Sequence, residues 1–224
     1  MAHRKPVRGV IFDMDGLLLD TEPFYTKASQ LIAARYDRVF DWSVKSQMIG
    51  KRAEESAQVF VDLLGLPLTP EEYLEARQSV LEELFPQAEP MPGAVRLTEH
   101  LHRSSIPQAV ATSSSRRHYL LKTSRHQNWF GIFDSLVIGD DPAVISGKPA
   151  PDIFLLAAQR LGVEPEACLV FEDAPVGVTA ALAAGMPVIA VPDPHLQPEL
   201  LRHASQVLGS LDEFDPAAWS LPPF

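Results

Sequence analysis

Two aspartates one residue apart, Asp13-Met14-Asp15, are followed at once by Gly16 and come directly after the apolar run Val10-Ile11-Phe12. A short apolar run of this kind reads as a buried strand, which puts the pair in the loop at its carboxyl end. Open α/β sheets bind their ligands at that end. Side chains two apart on extended backbone point the same way. Two acids brought together repel, and either a cation or a proton on one of them relieves the repulsion. An acidic pair alone is common in solvated loops, but here it has company. Thr112-Ser113-Ser114-Ser115 follows the strand-like Val110-Ala111, Lys148-Pro149 follows a loop at Gly147, and Glu172-Asp173 follows Val170-Phe171. Taken singly, Ser114 or Ser115 could cap the next helix, and so could Asp173. Capping leaves the full set unexplained: carboxylates for a hard cation, hydroxyls and backbone amides for phosphate oxygens, and a lysine for surplus negative charge.

The elements that would position these residues are β-rich runs at 9–12, 108–111, 135–138, 169–171 and 188–191, separated by segments able to form helices. That alternation predicts a Rossmann-like parallel sheet covered on both faces. Residues 21–88 differ in character: 54–64 and 71–85 carry helical patterns and no strand pattern stands out, so an inserted α-helical cap is expected. The predicted organisation is therefore a core of 1–20 and 89–224 with a helical cap at 21–88. Pro86, Pro90, Met91, Pro92 and Gly93 mark the return from the cap, where the prolines favour an extended, stiff connection suited to a hinge.

Composition narrows the partners. The 224 residues hold 29 acidic and 19 basic side chains, a formal charge of −10, and no tight basic cluster offsets it, so polymeric nucleic acid is not expected. The single cysteine, Cys168, has no internal partner for a disulfide and lies in a strand-like run, which reads as core. Residues 174–191 carry no charge, yet Pro175, Gly177, Gly185 and Pro187 interrupt them, so helix, turn and strand are predicted there and no membrane span. After the basic start, Asp13 and Asp15 break the apolar stretch that a signal peptide would need, so a cytoplasmic location is expected.

In order and interval, Asp13-x-Asp15-Gly16, Thr112, Lys148-Pro149 and Glu172-Asp173 resemble the four motifs of the haloacid-dehalogenase superfamily, in which the helical C1 cap follows the first motif. Lys51-Arg52-Ala53-Glu54-Glu55, Lys122-Thr123-Ser124-Arg125-His126 and Phe171-Glu172-Asp173-Ala174-Pro175 are similar to its pseudouridine-5'-phosphatases and their glycerol-phosphatase relatives. The resemblance implies a magnesium-dependent phosphomonoesterase in which Asp13 is the nucleophile, forming an aspartyl phosphate. Asp15 is then the acid that protonates the leaving oxygen and later activates water. It implies Mg²⁺ held by Asp13, the backbone carbonyl of Asp15, Asp173, and Glu172 directly or through water. Thr112, the Ser113 amide and Lys148 would bind phosphoryl oxygens, and Gly16, Gly50, Lys51 and Arg52 are further candidate substrate contacts. Lys51 and Arg52 read equally well as a solvated helix end. The implied partner is a small phosphorylated metabolite, either a nucleotide such as pseudouridine 5'-phosphate or a sugar or polyol phosphate, and the expected form is a monomer.

Asp15 argues against the carbon–halogen-cleaving relatives, which lack this second acid. The alternatives are a β-phosphoglucomutase-type sugar phosphomutase and a non-catalytic phosphate-binding regulator. The mutase relatives carry a histidine and an arginine where this chain has Tyr25 and Ala53, although Arg52 is adjacent. Asp140 and Asp141 read either as outer groups around a metal or as a turn before Pro142. None of the seven histidines has ligand spacing, His195 included.

Overall fold

A computed structural model describes residues 5–48 and 53–224. Two compact units make up the chain, Met1–Asp20 with Glu89–Phe224, and Thr21–Ala88. In chain order, β1 (Gly9–Phe12) and β2 (Leu19–Asp20) precede α1 (Glu22–Ala34), α2 (Trp42–Met48), α3 (Ala53–Leu64) and α4 (Pro70–Leu84). After these come β3 (Glu89–Pro90), α5 (Ala94–Arg103), β4 (Gln108–Ala111), α6 (Arg116–Lys122), α7 (Gln127–Phe130) and β5 (Ser135–Val137). The chain continues with α8 (Asp152–Leu161), β6 (Cys168–Glu172), α9 (Pro175–Ala183), β7 (Val188–Ala190) and β8 (Gln206–Val207).

In the first unit, six strands form a parallel sheet in the order β5-β4-β1-β6-β7-β8. Strands buried on both faces need no polar alternation, which is why β1, β4, β6 and β7 read as apolar runs apart from Gln108 at the start of β4 and Glu172 at the end of β6. Ile11, Ala109, Val137, Val170 and Val188 pack with Phe154, Ala157 and Val178 in one buried cluster. Phe12 stacks on Phe171 with ring centroids 5.1 Å apart, and Phe214 meets Phe171 edge-on at 4.9 Å. β1 lies between β4 and β6: β4 and β5 are added on one side of it, and the chain then crosses through α8 to add β6, β7 and β8 on the other, so the strand order reverses at β1. The carboxyl end of such a strand opens into a crevice.

Several boundaries differ from the sequence expectation. β5 and β7 stop one residue early, while β6 runs from Cys168 through Glu172. The connection after α4 is not extended throughout. Phe85–Gln87 is a 3₁₀ turn with Pro86 near its start, Ala88 is extended, and Glu89–Pro90 forms a short strand that pairs antiparallel with Leu19–Asp20. Residues 174–191 form α9, a turn at Gly185 (φ +75°) and β7, and among the described residues no helix is long and apolar enough to cross a membrane.

The second unit is a helical bundle whose core holds Ile32, Phe40, Phe60, Val61, Leu64 and Tyr73. Phe60 stacks on Tyr73 at 4.0 Å between centroids. α4 begins with a capping box: Thr69 Oγ1 accepts from the Glu72 amide at 3.2 Å, and Glu72 accepts from the Thr69 amide at 2.8 Å. Pro70 fills the first helical position, where a missing N–H costs nothing.

Candidate active site

Asp13 leaves β1 still tied to the sheet, its amide donating to the Phe171 carbonyl at 3.0 Å. The chain then turns back sharply, with the Gly16 amide on Leu19 O and the Leu18 and Leu19 amides on Met14 O. Gly16 has φ +77°, and a Cβ there would lie 2.6 Å from Asp173 Oδ2, so both backbone and space require glycine. The loop thereby lets the Asp173 carboxylate come close to β1.

Lys148, in the loop between β5 and α8, has a side chain only 5% exposed and donates to Asp13 Oδ1 at 2.5 Å, Glu172 Oε1 at 2.6 Å and the Ala111 carbonyl at 3.2 Å. It therefore gathers the ends of β1, β4 and β6 around one ammonium. Glu172 is also fixed by the Ala174 amide at 2.9 Å, and it lies where Gly177 of α9 has no side chain: a Cβ there would be 1.7 Å from Glu172 Oε1.

Asp13, Glu172 and Asp173 each offer a carboxylate oxygen, all within 4.8 Å of one another. Burial pushes the Asp13 carboxyl up to about 7; Lys148 opposes the shift, and the Glu172 and Asp15 charges add to it. Burial, then the charges of Asp13 and Glu172, holds Asp173 well above the usual carboxylate range. For Lys148, burial works against the ammonium, but Asp13 and Glu172 outweigh it and the net shift is upward. Three crowded acids facing one ammonium leave negative charge that a hard divalent cation would neutralise, and an all-oxygen donor set suits such an ion.

Asp15 has different surroundings. Lys122 donates to its Oδ1 at 2.6 Å and Ser114 to its Oδ2 at 2.8 Å, so its carboxylate is not one of the three clustered acids. Thr112 is fully buried; its Oγ1 accepts from the Ser114 amide at 3.0 Å and lies 3.5 Å from Asp15 Oδ2. Ser113 is exposed at the mouth of the same turn. Its carbonyl passes so close to Gly139 that a Cβ there would meet it at 2.2 Å. Ser115 caps α6, accepting from the His118 amide at 3.3 Å.

The structure thus brings Asp13, Asp15, Gly16, Thr112, Ser113, Lys148, Glu172 and Asp173 to one edge of the sheet. Gly50, Lys51 and Arg52 lie outside the described residues. Asp140 and Asp141 form a turn: Asp140 accepts from the Arg116 amide, and Asp141 accepts from the Ala143 amide and pairs with Arg160 at 2.7 Å. His195 bonds Asp193 in an exposed loop. The Cys168 thiol is buried, and burial pushes it up to about 12. Two residues given no site role from sequence, Lys122 and Ser114, hold Asp15. The available signal was spacing, because Ser115, Tyr119 and Lys122 recur at i, i+4 and i+7, which turns Lys122 to the face carrying the helix cap.

Residues 7–185 match the model of the haloacid dehalogenase-like hydrolase family. The chain is 50% identical over 228 aligned positions to (DL)-glycerol-3-phosphatase 2 of Arabidopsis thaliana, covering 100% of this chain and 95% of that one. It is 47% identical to a Drosophila melanogaster protein named "probable pseudouridine-5'-phosphatase", covering 98% and 96%. Among solved structures, a HAD family hydrolase from Deinococcus radiodurans with bound phosphate and sodium superposes with a TM-score of 0.80 at 26% identity, covering 98% and 99%. With the family model spanning most of its length and half of its residues shared with a relative of nearly equal extent, the chain belongs to the haloacid dehalogenase-like hydrolase family.

Proposed function

We propose that this phosphatase hydrolyses a small phosphate monoester by attack of Asp13 on phosphorus, with Asp15 as the acid and base. The observation that carries this reading is the contrast between the two carboxylates. Asp13 sits among clustered acids on Lys148, whereas Asp15 is set apart on Lys122 and Ser114. Carboxylates in unlike environments can take unlike roles.

An Asp13 oxygen forms a bond to phosphorus as the ester P–O bond breaks, and Asp15 gives its proton to the departing oxygen. Asp15 then takes a proton from water as that water attacks phosphorus, releasing inorganic phosphate and restoring Asp13. Lys148, the Thr112 hydroxyl and the Ser113 amide bind phosphoryl oxygens and stabilise charge that develops on them. Magnesium fits the oxygen set of Asp13, Glu172 and Asp173 with the Asp15 carbonyl, and when bound it supplies positive charge that lets an anionic nucleophile meet an anionic ester. Glycerol phosphate, pseudouridine 5'-phosphate and sugar phosphates are the substrate classes to examine, with Gly50, Lys51 and Arg52 and the rest of the helical unit selecting among them.

A phosphatase releases inorganic phosphate in step with substrate loss, whereas a mutase returns the phosphoryl group to the same sugar. Across a panel of these esters with magnesium, one phosphate is expected per substrate consumed. Isomerisation of β-glucose 1-phosphate without phosphate release would overturn the reading.

A further inference from the structure

The side chain of Lys122, in the last turn of α6, has 0% of its surface exposed. Burying an ammonium is costly unless it is well paired. Here it donates to Asp15 Oδ1 at 2.6 Å and to Ser114 Oγ at 2.8 Å. Ser114 Oγ in turn donates to Asp15 Oδ2 at 2.8 Å. Each oxygen of Asp15 is thus gripped by a different donor, and the two donors are bonded to each other. A single contact would leave the carboxylate free to swing, whereas this closed ring fixes its plane.

We propose that Lys122 and Ser114 form a fork that orients the Asp15 carboxylate for proton transfer, making Lys122 a positioning residue of the reaction. The inference rests on the acid–base reading of Asp15 given above. It differs from a purely structural ion pair in what its loss does. Removing one partner of a buried pair kept only for stability weakens the fold and bears on both kinds of ester alike. A positioning lysine cannot be replaced without loss of the step that Asp15 serves.

The test is the single-turnover release of phenol from phenyl phosphate, a poor leaving group that needs a proton, and of p-nitrophenol from p-nitrophenyl phosphate, which hardly needs one. Lys122→Met is close to lysine in volume and carries no charge. In Lys122→Met, phenol release is expected to slow at least about 100-fold, the lower range for a positioned acid, while p-nitrophenol release slows less than about tenfold. Ser114→Ala, which keeps the charge, is expected to show the same split with a loss of about tenfold on phenyl phosphate. In an Asp15→Asn background, adding Lys122→Met should change phenol release no further, because the lysine acts through the acid. Equal loss on both esters, or wild-type phenol release in a folded Lys122→Met protein, would overturn the fork. Should Lys122→Met fail to fold, wild-type phenol release by Ser114→Ala would overturn it. If Asp15→Asn itself released phenol at the wild-type rate, the acid–base reading would fall first and the fork with it.

Discussion

At the scale of residues, Asp173 shows how a side chain can be costly to the fold and required by the site. Burial and the charges of Asp13 and Glu172 disfavour its ionised form, so Asp173→Asn should leave the metal-free protein as stable as the wild type or more so. Magnesium changes the sign. A ligand at a hundred times its dissociation constant stabilises by about 2.7 kcal/mol, which in a protein of this size raises Tm by about 5–10 °C. Thermal melts with and without magnesium should show that rise in the wild type and little of it in Asp173→Asn; an equal rise in both would remove Asp173 from the metal set. The acids themselves were legible from sequence because Asp13 and Glu172 directly follow apolar strand-like runs, and Asp15 and Asp173 come within two residues of those two acids. Lys122 was less so, since a lysine in a short helix reads as solvated: spacing places it on the face of the Ser115 cap, and tertiary packing then buries it against Asp15.

At the scale of elements, legibility follows burial. β1, β4, β6 and β7 are covered on both faces and announce themselves as apolar runs. β8 has two residues, one of them the exposed Val207, and β2 and β3 have two each, with Pro90 in the pair; none is long enough to carry a period. Helix ends are set by local chemistry. Thr69 and Glu72 satisfy each other's amides at the start of α4, and loss of such a cap costs about 1 kcal/mol. Thr69→Ala should therefore lower the unfolding free energy by about that amount in chemical denaturation. A change below about 0.3 kcal/mol would show that α4 is held by its packing against neighbouring helices alone.

At the scale of the whole molecule, a parallel sheet delivers strand ends from distant parts of the sequence to one edge, so Asp13, Thr112 and Glu172 meet although about 160 residues separate the first from the last. The alternation of strand and helix patterns makes that convergence readable in advance. What the pattern does not convey is side-chain direction past each strand end, which decides that Asp15 faces Lys122 while Asp13 faces Lys148. Hydrolysis by this route requires Asp13 to carry the phosphoryl group. The most direct measurement is peptide mapping by mass spectrometry after rapid acid quench of the enzyme turning over a phosphate ester. One phosphoryl group is expected on the peptide containing Asp13, labile to hydroxylamine and absent from Asp13→Asn, which should fold normally and turn over at less than about a thousandth of the wild-type rate. A phosphorylated residue elsewhere, or turnover by Asp13→Asn at a tenth of the wild-type rate, would contradict it.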